Sequence, residues 1–226
     1  MWADFREHVI LEDEAILVLN KPPGISVMGE RHESDLVRLA ADAGEELFPA
    51  HRIDKVTSGV ILFAKNLPAH GALTRQFNKR TVEKSYLAVV SPGGLPETGH
   101  IDLPLSVGRK NRVRIAAPRE TITETGGRWS VPASAVFDTV STYPSQTSFT
   151  VRTQTPDRAL LEAHPHTGRR HQIRVHLAWI GHPIVGDPLF EKHPEGRTYL
   201  HSWRLTFDHA GTRVTVEAPM PADFAL

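Results

Sequence analysis

The segment His51-Arg52-Ile53-Asp54-Lys55-Val56-Thr57-Ser58-Gly59 runs directly into the apolar stretch Val60-Ile61-Leu62-Phe63-Ala64. A short, unbroken apolar run of this kind predicts a buried strand, so the residues before it form a loop that brings polar groups to the edge of the core. That loop combines a carboxylate, two cations, an imidazole and two hydroxyls. A carboxylate held between a core strand and flanking cations can be kept ionised and oriented, and can act as nucleophile or general base without a metal. Taken by itself, the segment fits a turn-forming structural Asp better than a catalytic one, because Thr57 and Ser58 offer the backbone hydrogen bonds of an ordinary turn.

Upstream, Ala15-Ile16-Leu17-Val18-Leu19 is a second buried-strand run, stopped by the rigid turn Asn20-Lys21-Pro22-Pro23-Gly24. A short helix is predicted from an N-cap at Ser34 to Gly44, carrying Leu36, Val37, Leu39 and Ala40. Downstream, Leu67-Pro68 opens a helix bearing Leu73 and Phe77, and residues 82–90 alternate as a half-buried strand with Tyr86 on either face. Further strands are predicted at 133–143, 148–155, 158–164, 200–207 and 213–218, and a helix begins near His171, marked by Ile173, Leu177 and Ile180. Strands outnumber helices and several are neighbours across short turns. This pattern predicts an α+β domain: a largely antiparallel, mixed sheet flanked by helices and loops.

A second polar segment, His164-Pro165-His166-Thr167-Gly168-Arg169-Arg170-His171-Gln172-Ile173-Arg174-Val175-His176, supplies three arginines around a predicted helix start. Planar, permanently charged guanidinium can orient a carboxylate bidentately or grip phosphate, although solvation of a helix end would also account for it. His171 and His176 are five apart rather than the four that stacks ligands on one helix face, and no acidic cluster completes a metal site. No metal or cofactor is expected. Phosphate-binding Gly-rich loops and the Gly-x-Ser-x-Gly hydrolase elbow are absent from the sequence.

The chain has 226 residues, 40% hydrophobic and 23% charged, an ordinary globular composition with no linker-like tract or internal repeat. One domain spanning 1–226 is expected. The absence of cysteine rules out disulfides and thiolate chemistry and fits a reducing compartment. No apolar stretch approaches the ~20 residues that span a bilayer, and a cytoplasmic, monomeric protein is expected. Net charge is zero, but Arg109, Lys110, Arg112, Arg114 and Arg119 form one basic stretch and the arginines after Gly168 another, so basic surfaces are local.

Together the two polar segments resemble the signature blocks of the RluA family of pseudouridine synthases. The resemblance extends to Gly181-His182-Pro183-Ile184-Val185-Gly186-Asp187-Pro188, Asn20-Lys21-Pro22-Pro23-Gly24, Glu83-Lys84-Ser85-Tyr86 and Ala218-Pro219-Met220-Pro221, in the family's order from about residue 15 onward. Ile53 stands where Leu is usual, and Arg170 where Thr is common. The resemblance implies the pseudouridine synthase fold and a cofactor-free isomerisation of a chosen uridine in a tRNA or rRNA stem-loop, in which the base detaches, rotates and rejoins through carbon 5. It implies Asp54 as the catalytic carboxylate, Tyr86 as the residue stacking on the extruded base, and Arg174 as the partner that keeps Asp54 ionised. Arg52 would stabilise the space left by the flipped nucleotide, and Lys21, Arg169, Arg170, His171 and Gln172 are further expected RNA contacts. No separate N-terminal RNA-binding domain is expected. A catalytically idle RNA-binding or chaperone protein on the same fold is the alternative.

Overall fold

The computed structural model describes residues 1–30, 33–108 and 111–226. Of the basic stretch noted above, Arg109 and Lys110 lie outside the described residues. In chain order the first elements are α1 (Trp2–Arg6), β1 (Val9–Glu12), β2 (Ile16–Lys21), α2 (Leu36–Asp42), β3 (Phe48–Pro49), β4 (Ser58–Ala64), α3 (Leu67–Lys79) and β5 (Glu83–Val90). Short strands follow: β6 (Thr98–Asp102), β7 (Leu105–Val107), β8 (Val113–Ile115), β9 (Thr123–Thr125), β10 (Arg128–Ser130) and β11 (Thr142–Tyr143). The last elements are β12 (Gln146–Gln154), β13 (Ala159–Pro165), α4 (Gln172–Trp179), β14 (Leu200–His209) and β15 (Thr212–Glu217).

These elements fall into two compact units, one formed by Met1–Tyr86 with Leu200–Pro221 and the other by Leu87–Tyr199 with Ala222–Leu226. In the first unit the strand order is β1-β2-β4-β14, with β3 on β4 and β15 on β14. Most pairs are antiparallel; β14 joins β4 in parallel through His201 opposite Ser58 and Ser202 opposite Gly59. Both faces of β2 and β4 are covered, which is why their sequences read as unbroken apolar runs rather than alternating ones. Ile16, Val18, Val60 and Leu62 pack with Leu73 and Phe77 of α3. Leu17, Leu19, Ile61 and Phe63 face the other way, against Trp2, Leu36, Ala40, Ile53 and Tyr86.

In the second unit β12 pairs antiparallel with β13 and with β6, and β10 runs parallel to β6 with β9 at the edge. Strands β11, β7 and β8 form a separate small sheet. The α+β architecture with a largely antiparallel sheet is therefore present. Two local expectations are corrected. The cap of α2 is Asp35, whose carboxylate accepts the Arg38 amide at 2.9 Å, rather than Ser34. Most of 133–143 is irregular, with a single 3-10 turn at Ala133–Ala135 and only Thr142–Tyr143 extended in a strand. Its apolar residues pack without a full ladder, with Phe137 lying under the Arg114 guanidinium.

Candidate active site

Asp54 follows Ile53, a buried member of the first unit's core, so the loop is anchored immediately before its carboxylate. The loop is fastened at several further points. The Asp54 carbonyl accepts the Thr57 amide at 3.0 Å and closes a tight turn. His51 accepts the Leu62 amide through Nε2 at 3.1 Å and stacks on Phe77 with ring centroids 4.9 Å apart. Loss of hydration, with Lys84 nearby, pushes the His51 imidazole down to about 3, so it is neutral as an acceptor must be.

Lys21 holds the loop from the other side. Its side chain is only 1% exposed, and its ammonium donates to the carbonyls of Pro22 and Ile25 at 2.8 Å each and of Lys55 at 3.3 Å. The Lys55 carbonyl also accepts the Gly24 amide at 2.7 Å. The Asn20-Lys21-Pro22-Pro23-Gly24 turn is thus tied to the residue following Asp54. At the loop's exit, Ser58 Oγ lies 2.8 Å from His201 Nδ1. Gly59 there has a φ of +104°, and a Cβ on it would stand 2.1 Å from the Ser202 carbonyl oxygen, so only glycine fits.

Tyr86, near the middle of β5, shares this environment. Its phenol is pushed up to about 12, chiefly by burial, with the Asp54 charge adding to the rise and a hydrogen bond with Ser202 opposing it. Asp54 is thus close enough for its charge to act on the Tyr86 ring. Both are half-buried, whereas Arg52 is exposed. The first unit therefore brings together Asp54, Tyr86 and Lys21, with Lys21 inside the scaffold of the loop and Arg52 on its solvent side.

The remaining candidates lie in the second unit, on α4 and the turn before it. Arg174 and Asp187 form a buried bidentate pair, with Nε donating to Oδ2 at 2.7 Å and Nη2 to Oδ1 at 2.8 Å. Asp187 Oδ1 also accepts the Leu189 amide at 2.9 Å, and the Phe190 ring lies 5.5 Å from the guanidinium carbon. Gln172 is buried and uses both ends of its amide: Oε1 accepts from Thr167 Oγ1 at 2.6 Å and the Arg169 amide at 3.1 Å. Its Nε2 donates to the Gln146 carbonyl at 2.8 Å and to Thr147 Oγ1 at 3.0 Å.

His176 completes this network. Burial pushes its imidazole down to about 4, so it is neutral, with Nε2–H donating to the Leu103 carbonyl at 3.0 Å. Its Nδ1 is then the acceptor for the Thr147 hydroxyl at 2.9 Å, which leaves Thr147 Oγ1 to accept from Gln172. These bonds fix α4, and with it Arg174, against β12. Arg169 and Arg170 are exposed; Arg169 lies 5.2 Å from the Tyr143 ring centroid, and Arg170 donates to the Asn111 carbonyl at 3.1 Å. His171 adopts a left-handed backbone at the helix start and meets Phe190 edge-on. Asp187, Ser202 and Thr147 were not singled out as site residues from the sequence. Asp187 lies within a quoted block, whereas nothing in local spacing marks the other two.

Residues 15–179 match the family model described as RNA pseudouridylate synthase. The chain belongs to the RluA family of RNA pseudouridine synthases. Members of this family are isomerases. The chain is 34% identical over 224 residues to the dual-specificity RNA pseudouridine synthase RluA of Salmonella typhi, covering 96% of this chain and 93% of that one. It is 32% identical over 237 residues to the ribosomal large subunit pseudouridine synthase C of Haemophilus ducreyi, covering 99% and 68%. Against the ribosomal large subunit pseudouridine synthase D of Neisseria meningitidis serogroup B the identity is 33%, and this chain spans 58% of that protein's length. The fold is shared with the solved human RNA pseudouridylate synthase domain containing 4, at a TM-score of 0.79, 23% identity and 99% and 92% coverage. The family match crosses from the first compact unit into the second.

Proposed function

We propose that this RluA-family protein isomerises a specific uridine in structured tRNA or rRNA to pseudouridine, with Asp54 as the catalytic carboxylate. The observation that carries the reading is the placement of Asp54: a loop clamped by Lys21, His51 and the Ser58–His201 contact presents it beside Tyr86. A carboxylate on a fixed loop is pre-organised, so little ordering is required when substrate arrives. The target base must leave its stack to reach such a group, at a cost of a few kcal/mol that is smallest in loops. Tyr86 offers a half-buried ring on which that base stacks. Its raised phenol stays protonated at neutral pH, which suits a stacking and hydrogen-bonding role better than that of a base.

Arg174 is assigned by the family motif as the cation that keeps Asp54 ionised, and its locked guanidinium suits a fixed ion pair. Arg52, Arg169 and Arg170 are exposed cations suited to RNA phosphates, with His171 beside them. Lys21 and Gln172, with their polar atoms committed to the backbone and neighbouring side chains, support RNA binding by holding the loops that carry these groups. The relatives named for the ribosomal large subunit, together with a tRNA pseudouridine synthase C of Pasteurella multocida that is 33% identical over 225 residues, point to two substrate classes, and a stem-loop serves both.

The test is pseudouridine mapping of total RNA by carbodiimide labelling and reverse transcription. Cells lacking the gene are compared with cells re-expressing it or expressing Asp54→Asn. One position that loses its label on deletion and regains it only with the wild-type protein supports the proposal. A label restored by Asp54→Asn sinks the role of Asp54, and no change at any position favours an idle RNA-binding protein.

A further inference from the structure

The second unit contains a cavity of about 580 Å³ whose lining includes Arg112, Arg114, Arg119, Arg170, Trp179 and Phe190. Neither Asp54 nor Tyr86 lines it. Its charge is one-sided. Among the described residues none of these four arginines forms an ion pair; Arg119 instead donates to the carbonyls of Ala178 and Trp179, and Arg170 to that of Asn111. Backbone carbonyls orient a guanidinium without neutralising it, so the cavity keeps a positive potential. One wall is aromatic. Trp179 and Phe190 meet edge-on with centroids 6.3 Å apart at 71°, and the Arg119 guanidinium carbon lies 5.9 Å from the Trp179 ring centroid.

Several guanidinium groups with no carboxylate partner among the described residues call for an anion with several oxygens, whereas a half-exposed indole beside a phenyl ring calls for a flat π-system. An inorganic anion would leave the aromatic wall unused, and a purely apolar ligand would leave the arginines uncompensated. A nucleotide satisfies both, and the volume falls in the ordinary range of about 300–1,000 Å³ for small-ligand sites. We infer that this cavity holds a second unpaired RNA nucleotide, distinct from the isomerised uridine, with its base stacked on Trp179 and its phosphate among Arg112, Arg114 and Arg170. The inference rests on RNA being the substrate. It adds a specificity site that reads an unstacked loop nucleotide, and it gives the basic stretch around Arg112 a use beyond general attraction to RNA.

The test uses ¹⁵N-labelled full-length protein, whose four tryptophans give separate indole N–H signals, with Trp179→Phe assigning one of them. Adenosine 5′-monophosphate should shift the Trp179 signal saturably, and adenosine should need about tenfold more ligand to do the same. Short single-stranded oligoadenylate should displace the monophosphate. Trp179→Ala and the double variant Arg112→Gln/Arg114→Gln should each weaken monophosphate binding about tenfold, with Arg Nε signals reporting the Trp179→Ala protein, while Trp179→Phe stays near wild type. Thermal unfolding checks that each variant is folded, and the wild-type titration decides the question even if one is not. No shift with the monophosphate, or an equal shift with inorganic phosphate, overturns the nucleotide site. Monophosphate binding that oligoadenylate cannot displace overturns its assignment to RNA. Because no arm measures turnover, nucleotide binding without isomerisation of any RNA would refute the proposed function and leave the pocket standing.

Discussion

Arg174 and Asp187 are joined at two points, Nε to Oδ2 and Nη2 to Oδ1, with side chains only 3% and 0% exposed. Two parallel bonds fix the guanidinium plane as well as its position, which a lysine at 174 could not reproduce. Removing Asp187 deletes both of these bonds and a charge that compensates a guanidinium in a poorly solvated site. Asp187→Ala should therefore lower stability by about 3–5 kcal/mol in urea unfolding. A loss below about 1 kcal/mol would mean that the pair contributes little to holding the Asp187 turn against α4.

Tyr86 should ionise well above an ordinary phenol. Spectrophotometric titration should show one phenol titrating near about 12, and Tyr86→Phe should remove that step. Because the Asp54 charge contributes to the rise, Asp54→Asn should move the step to lower pH. An unmoved step would place the carboxylate too far from the ring to assist there.

Acid should weaken the fold through two histidines. His51 and His176 are held neutral in the native protein, at about 3 and about 4, against about 6.5 in an unfolded chain. Between these values the unfolded state binds protons that the native state refuses, so unfolding free energy falls as pH drops below about 6.5. The contribution of His176 is fully lost once pH has passed below about 4, and that of His51 continues to fall toward about 3. Unfolding curves for wild type and His176→Gln across this window should differ in slope, the variant being flatter. Equal slopes would count against the assigned tautomer and its network.

Gly59→Ala should cost more than about 2 kcal/mol, since it combines a strained φ with a backbone clash. The Cβ would stand 2.1 Å from a main-chain oxygen of β14, which no rotamer change relieves. Circular dichroism melting is the check. A variant as stable as wild type would require β14 to lie farther from β4.

Strands β2 and β4 were legible because burial on both faces leaves a short, unbroken apolar run. Helices α3 and α4 were legible from their spacing. The stretch 133–143 misled because its alternation resembles a strand, yet alternation reports only burial on one side, and Phe137 finds a guanidinium rather than a sheet. The short strands β6 to β10 went unseen because runs of three to five residues carry too little periodicity to register. At the candidate site, residue types and family motifs pointed to Asp54, Tyr86 and Arg174. Spacing alone could not show that Lys21 and Gln172 have their polar atoms committed to other parts of the protein, because those partners are set by tertiary contact.

The parallel pairing of Ser58 and Gly59 with His201 and Ser202 joins positions 143 residues apart. As a nascent chain leaves the ribosome, β4 is made early, but the neighbour that fits against Gly59 emerges only after the Leu87–Tyr199 segment of the second unit has been synthesised. Until then the Ser58–Gly59 end of that edge of β4, beyond the part that β3 covers, is open to solvent and to wrong partners, the condition in which half-made sheets are prone to aggregate. The last step in building the first unit is therefore the arrival of its C-terminal hairpin, and truncating the protein before residue 200 removes the strand on which the end of the Asp54 loop rests.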